Sequence, residues 1–172
     1  MATLKKNLLG SEKTAETIKG INVVIGAETT GLHKALSDVN KKSRDIQSEL
    51  RKVERLLKLD PKNTELVAQK QQLLADAIEN SKEKLDRLKT VQEQVNEQFK
   101  KGEISEAQYR DFQREIVKTE QELKKFESSL QDTIQEQQKI AESTRQLKTF
   151  FKATGTSIDE FADALGDKLT NA

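Results

Sequence analysis

The sequence predicts an all-α protein built from long heptad-patterned helices, paired as a coiled coil, an antiparallel helical hairpin or a three-helix bundle, with one short strand near the amino terminus. Three observations lead there. Charged and hydrophobic residues each make up 34% of the 172-residue chain, with one proline and seven glycines. That composition supplies a thin apolar stripe per helix more easily than a deep core. Apolar residues then recur with alternating gaps of four and three over more than a hundred residues, the period of a helix seam. Finally, the interruptions of that period carry helix stop and start signals.

The elements follow in order. Residues 1–20 read as a tail, with no apolar run of the kind a secretory signal needs. Residues 21–31, INVVIGAETTG, read as a short strand and a glycine turn, with Gly26 and Gly31 permitting the turn and Thr29 or Thr30 capping the next helix. The strand is expected to pair with another copy or with a partner's edge.

The first helix, 32–59, carries the seam Leu32, Leu36, Val39, Ile46, Leu50, Val53 and Leu57, with Ser43 also on it. It ends in KLDPKN, where Asp60 would cap the next helix and Pro61 would take its first position. The second helix, 61–101, has Leu74, Ile78, Leu85, Leu88, Val95 and Phe99 on its seam, with Gln71, Ser81 and Gln92 at polar seam positions. Gly102 is placed as the residue just past its end. Ser105 and Gln108 form a capping box for the third helix, 105–151. Its seam is Tyr109, Phe112, Ile116, Leu123, Phe126, Leu130, Ile140, Leu147 and Phe151, interrupted by Thr119, Thr133, Gln137 and Thr144. Gly155 then reads as a stop and Ser157 as a cap. Residues 156–172 read as the start of a further helical region that is truncated. Short links make neighbouring helices antiparallel. Polar seam residues select register or oligomer state, or else leave the helices marginally paired.

Several function classes lose support. The strand, glycine, four residues and glycine of the opening stretch mimic a phosphate-binding loop, but Leu32 and His33 stand where Lys and Ser or Thr are required. With 30 basic and 29 acidic residues interspersed, no long-range field steers nucleic acid or anionic lipid. There is no cysteine, and a lone histidine cannot build a structural zinc site. The carboxylates are spread over exposed heptad positions without a pocket. No catalytic, cofactor-binding or metal residues are assigned, and no enzyme activity is expected.

One resemblance goes further. The stretches IKGINVVIGAETTGLHKALSDVNKKSRDIQSELRKVERLLKLDPKNTELVAQKQQLL, KEKLDRL, EQVNEQFKKGEISEAQYRDFQREI and ATGTSIDEFADALGDKLTNA resemble the amino-terminal region of tail tape measure proteins of long-tailed bacteriophages and prophages. The resemblance covers about residues 18 to 172, and residues 1–17 lie outside it. It implies a structural role: an extended helical filament in the tail tube that sets tail length and scaffolds tube assembly. The implied partners are other copies of the chain, tail tube and tail-tip proteins, and tail assembly chaperones. No nucleic acid or membrane contact is expected for this region. The implied location is the virion tail, and the host cytoplasm during assembly. The alternative is a cytosolic coiled-coil scaffold or adaptor unrelated to phage, and a third reading is a nucleic-acid-binding helical protein.

Overall fold

A computed structural model describes residue 18, residues 20–25 and residues 28–154. The expectations for residues 1–17, for Gly26, Gly155 and Ser157, for the Phe151 side chain and for residues 156–172 lie outside the described residues. The chain divides into two units, Met1–Leu130 and Gln131–Ala172.

The described elements run β1 (Asn22–Ile25), β2 (Glu28–Gly31), α1 (Leu32–Ala35), α2 (Ser37–Leu59), α3 (Thr64–Lys100) and α4 (Glu106–Thr154). The fold is all-α apart from the two-stranded antiparallel ribbon. In that ribbon Asn22 faces Gly31, Val23 faces Thr30, Val24 faces Thr29 and Ile25 faces Glu28. Strand β1 therefore pairs within its own chain, and the ribbon has two strands where the sequence reading expects one. Gly31 ends β2 and precedes α1 at φ −67° and ψ 134°, an extended conformation open to any residue. It is no glycine turn, and neither Thr29 nor Thr30 caps the helix: both are strand residues, and the α1 start has no side-chain cap. A threonine's branched Cβ suits a pleated strand as well as a cap, and the backbone of β1 decides for the strand.

The expected first helix is divided at Leu36, whose φ of −104° and ψ of 1° separate α1 from α2. The seam nevertheless continues across the break, with Leu32, Leu36, Val39, Ile46, Leu50 and Val53 all buried, while Leu57 is half-buried. At the next turn, Asn63 is the cap of α3: its side chain accepts from the Leu66 N–H at 3.0 Å. Asp60 follows the end of α2, with its N–H on the Leu56 carbonyl, and Pro61 lies in the turn. Both Asp60 and Asn63 have an oxygen suited to capping; Asn63 precedes TEL, and a Glu in the first helical turn favours the positive helix end there.

The α3 to α4 turn is built from local signals. Gly102 has φ +71°, the left-handed region that disfavours a side chain. Its N–H reaches the Phe99 carbonyl at 3.0 Å, and the Glu103 N–H reaches Gln98 at 2.9 Å. Ser105 Oγ accepts from the Gln108 N–H at 3.2 Å, and Gln108 Oε1 accepts from the Ser105 N–H at 2.8 Å. These reciprocal bonds satisfy two donors that the first turn of a helix leaves open.

Within Met1–Leu130, α2, α3 and the first part of α4 form an antiparallel three-helix bundle with two apolar clusters. One joins the ribbon to the bundle through Ile21, Val23, Leu36, Leu88, Val95 and Phe112, with Tyr109 and Leu123 packed against it. The other gathers Ile46, Leu50, Leu74 and Ala77, with Leu73, Phe126 and Leu130 against it. Seam residues Leu85 and Ile116 are also buried, and Ile78 is half-buried. Phe99 is 37% exposed, and its ring stacks on the seam residue Tyr109, centroids 4.2 Å apart, at the margin of the bundle.

In the second unit the described part of α4 is residues 131–154. Ile140 and Leu147 are 49% and 55% exposed there. The heptad spacing holds, but these two seam positions are not covered, because spacing fixes which residues share a face and not whether another helix lies over it.

Candidate functional site

Three arrangements stand out in the first unit, and all of them converge on α3. The first is a staple on the strand. Val24 N–H donates to Gln94 Oε1 at 2.7 Å, Gln94 Nε2 donates to the Val24 carbonyl at 2.8 Å, and Gln98 Nε2 donates to the Asn22 carbonyl at 2.5 Å. In this register Val23 and Ile25 turn their backbone groups to β2, leaving Asn22 and Val24 facing outward. The spacing explains the fit. Four helical residues advance about 6 Å, and two strand residues advance about 6.6 Å, so glutamines at 94 and 98 meet alternate strand residues in antiparallel order. The side chains of α3 thus complete the edge of β1.

The second is a clasp at the α1 to α2 break. Arg87 Nη1 donates to the Ala35 carbonyl at 2.8 Å, and its two Nη atoms donate to Asp38 Oδ1 and Oδ2 at 2.6 and 2.8 Å. Nη2 also donates to Glu83 at 2.6 Å. The fork of a guanidinium matches a carboxylate in this bidentate way. The Arg87 hydrogen bond holds the Asp38 carboxyl down to about 2, and Asp38 in turn raises Arg87. Beside the clasp, a groove of about 430 Å³ is lined by Ile25, Glu79, Lys82, Asp86 and Thr90, together with Glu83 and Arg87.

The third is a buried polar layer. Asn80, Ser81 and Lys84 of α3 and Glu115 and Thr119 of α4 are all less than a tenth exposed. Lys84 forms an ion pair with Glu115. Asn80 Nδ2 donates to the Val39 carbonyl of α2 at 3.0 Å, while its Oδ1 is buried without a hydrogen-bond partner. Thr119 Oγ1 donates back to the Glu115 carbonyl at 2.7 Å, a bond available to a threonine inside a helix. Asp111, also buried, pairs with Arg114.

Of these residues, the heptad reading includes Ser81 and Thr119 only. Asn80, Lys84, Glu115 and the buried apolar Ala77 and Val91 lie one position off the 4,3 stripe. Helix α3 packs against α2 on one side and α4 on the other, so it needs a wider buried face than two positions per heptad. The apolar Ala77 and Val91 beside seam positions were the available signal. His33 is half-buried on α1. Among the described residues, no group of three or more His, Cys, Asp or Glu is arranged to hold a metal ion, and no helix is long and apolar enough to cross a membrane.

Fold and site together define an all-α bundle with a stapled strand, a clasped helix break and an internal polar layer. No protein-family model, curated protein or solved structure matches the chain.

Proposed function

We propose that this chain is the amino-terminal part of a tail tape measure protein, a structural component that sets tail length and scaffolds assembly of the tail tube. The reading rests on the order of segments that carries the resemblance: INVVI, GAETTGL, LLKLDPKNTEL and KKGEISEAQY. The long helices suit it physically. A helix converts residue number into distance at about 1.5 Å per residue, so the 37 residues of α3 and 49 of α4 correspond to about 55 and 73 Å. In this reading the protein is no enzyme. Its partners are further copies of itself, tail tube and tail-tip proteins and assembly chaperones, without nucleic acid or membrane contact in this region, and it resides in the virion tail after assembly in the host cytoplasm.

The test is an insertion into the complete phage protein. Four extra heptads, about 28 residues, placed in α4 between Gln138 and Lys139 keep the seam in phase and leave the first unit untouched. If the segment is a ruler, the tail lengthens by about 42 Å, rounded to the nearest ring of tube subunits. Tails of unchanged length and normal yield in electron micrographs overturn a ruling role for this helix.

A further inference from the structure

We propose that the polar layer divides the bundle into two halves that open separately, the half around Ile46, Leu50, Leu74 and Phe126 unzipping while the half around Leu88 and Phe112 stays closed. All three helices share the same order. At the start of α2, Leu36 just before it and Val39 on it belong to one cluster and Ile46 and Leu50 to the other, with Ser43 and the Asn80 contact to Val39 between them. On α3, Leu74 and Ala77 are separated from Leu85 and Leu88 by Asn80, Ser81 and Lys84. On α4, Phe112, Ile116 and Leu123 of the first cluster precede Phe126 and Leu130 of the other, with Thr119 and Glu115, the latter paired across to Lys84, lying between Phe112 and Leu123.

The two halves are unequally held. The closed half contains thirteen buried residues, the Arg87 clasp and the glutamine staple. The other has a cluster of four buried residues and three partly buried ones, with Val53 also buried beyond it, and it ends at the α2 to α3 turn, where Leu56 and Leu59 are 49% and 84% exposed. Cooperative units in a protein follow contiguous packed contacts, and the units that open first have few buried apolar groups. The layer interrupts that contiguity with a charge pair and an amide oxygen that has no partner. Such groups gain from water when the adjacent half opens, so the boundary falls at the layer. The inference stands on packing alone and does not depend on the proposed tail function.

Native-state hydrogen exchange on the full chain, in rising guanidinium below the unfolding midpoint, tests it. Amides in residues 46–56, 66–77 and 126–130 are expected to exchange at least about tenfold faster than those in residues 86–96 and 112–117, through an opening with a smaller denaturant dependence. A single shared isotherm for both sets overturns the proposal. The triple substitution Asn80→Leu, Lys84→Met and Glu115→Leu replaces the charge pair and the amide of the layer by apolar groups and is expected to merge the two sets. Two sets that persist in a folded triple variant overturn the role of the layer as divider. The wild-type exchange pattern decides the separate opening even if that variant does not fold.

Discussion

Leu88 and Leu147 hold equivalent places in the heptad pattern and opposite places in the structure, so truncating each to alanine separates pattern from packing. Leu88 is fully buried among the residues that join the ribbon to the bundle. Its replacement by alanine removes three carbons, worth about 0.8 kcal/mol each when buried, and leaves a cavity that close-packed neighbours fill only in part. The sum is about 3 to 5 kcal/mol. Set against a total stability of about 5 to 15 kcal/mol, that is a large loss, and for the unit Met1–Leu130 it lowers the melting temperature by about 10 °C or more. Leu147 is 55% exposed, and the same truncation there costs less than about 1 kcal/mol. The assay is guanidinium unfolding followed by circular dichroism, with melts as a second measure. A loss below about 1 kcal/mol for Leu88→Ala, or equal losses for the two variants, refutes the assignment of core and open seam.

Other perturbations are smaller and more local. Asn63→Ala removes the α3 cap and is expected to cost about 1 kcal/mol, whereas Asp60→Ala costs a few tenths; equal midpoints in urea contradict the cap assignment. Gly102→Ala meets no atom within 4 Å but must adopt φ +71°, so a loss of about 1 kcal/mol is expected from backbone strain alone. Asp38 has a folded-state pKa of about 2 against an ordinary 3.8. Its contribution is therefore fully present above about pH 4 and is lost as pH falls toward 2, and Asp38→Asn is expected to flatten that part of the stability profile. Gln94→Ala is expected to speed exchange of the Val24 amide while leaving the melting temperature within about 2 °C, because both groups of Val24 return to water.

Much of the fold is legible where a signal is local. Gly102, Ser105 and Gln108 mark the α3 to α4 turn within seven residues, since each acts on backbone groups beside it. Two capping oxygens three residues apart in DPKN compete on nearly equal terms, and the sequence does not rank Asp60 against Asn63 without the path of the chain. The ETT segment misleads because threonine serves a cap and a strand alike. The polar layer is half visible, through Ser81 and Thr119, because the stripe reading assumes one partner per helix and α3 has two. Gln94 and Gln98 carry no sequence signal at all: an exposed glutamine is the ordinary occupant of a helix surface, and only the approach of β1 from some seventy residues away gives these two a task.

That staple grips main-chain atoms, and this has a consequence for how the sequence can drift. At positions 22 and 24 the amides and carbonyls are the same whatever side chain they carry, so substitutions there leave the grip intact so long as proline is excluded at 24. Positions 94 and 98 have no such latitude. Asparagine is one carbon too short to reach, and glutamate can only accept, so it loses the bonds given to the carbonyls of Val24 and Asn22. The free edge of β1 is thus tied by two residues outside it, and positions 22 and 24 are left free to vary.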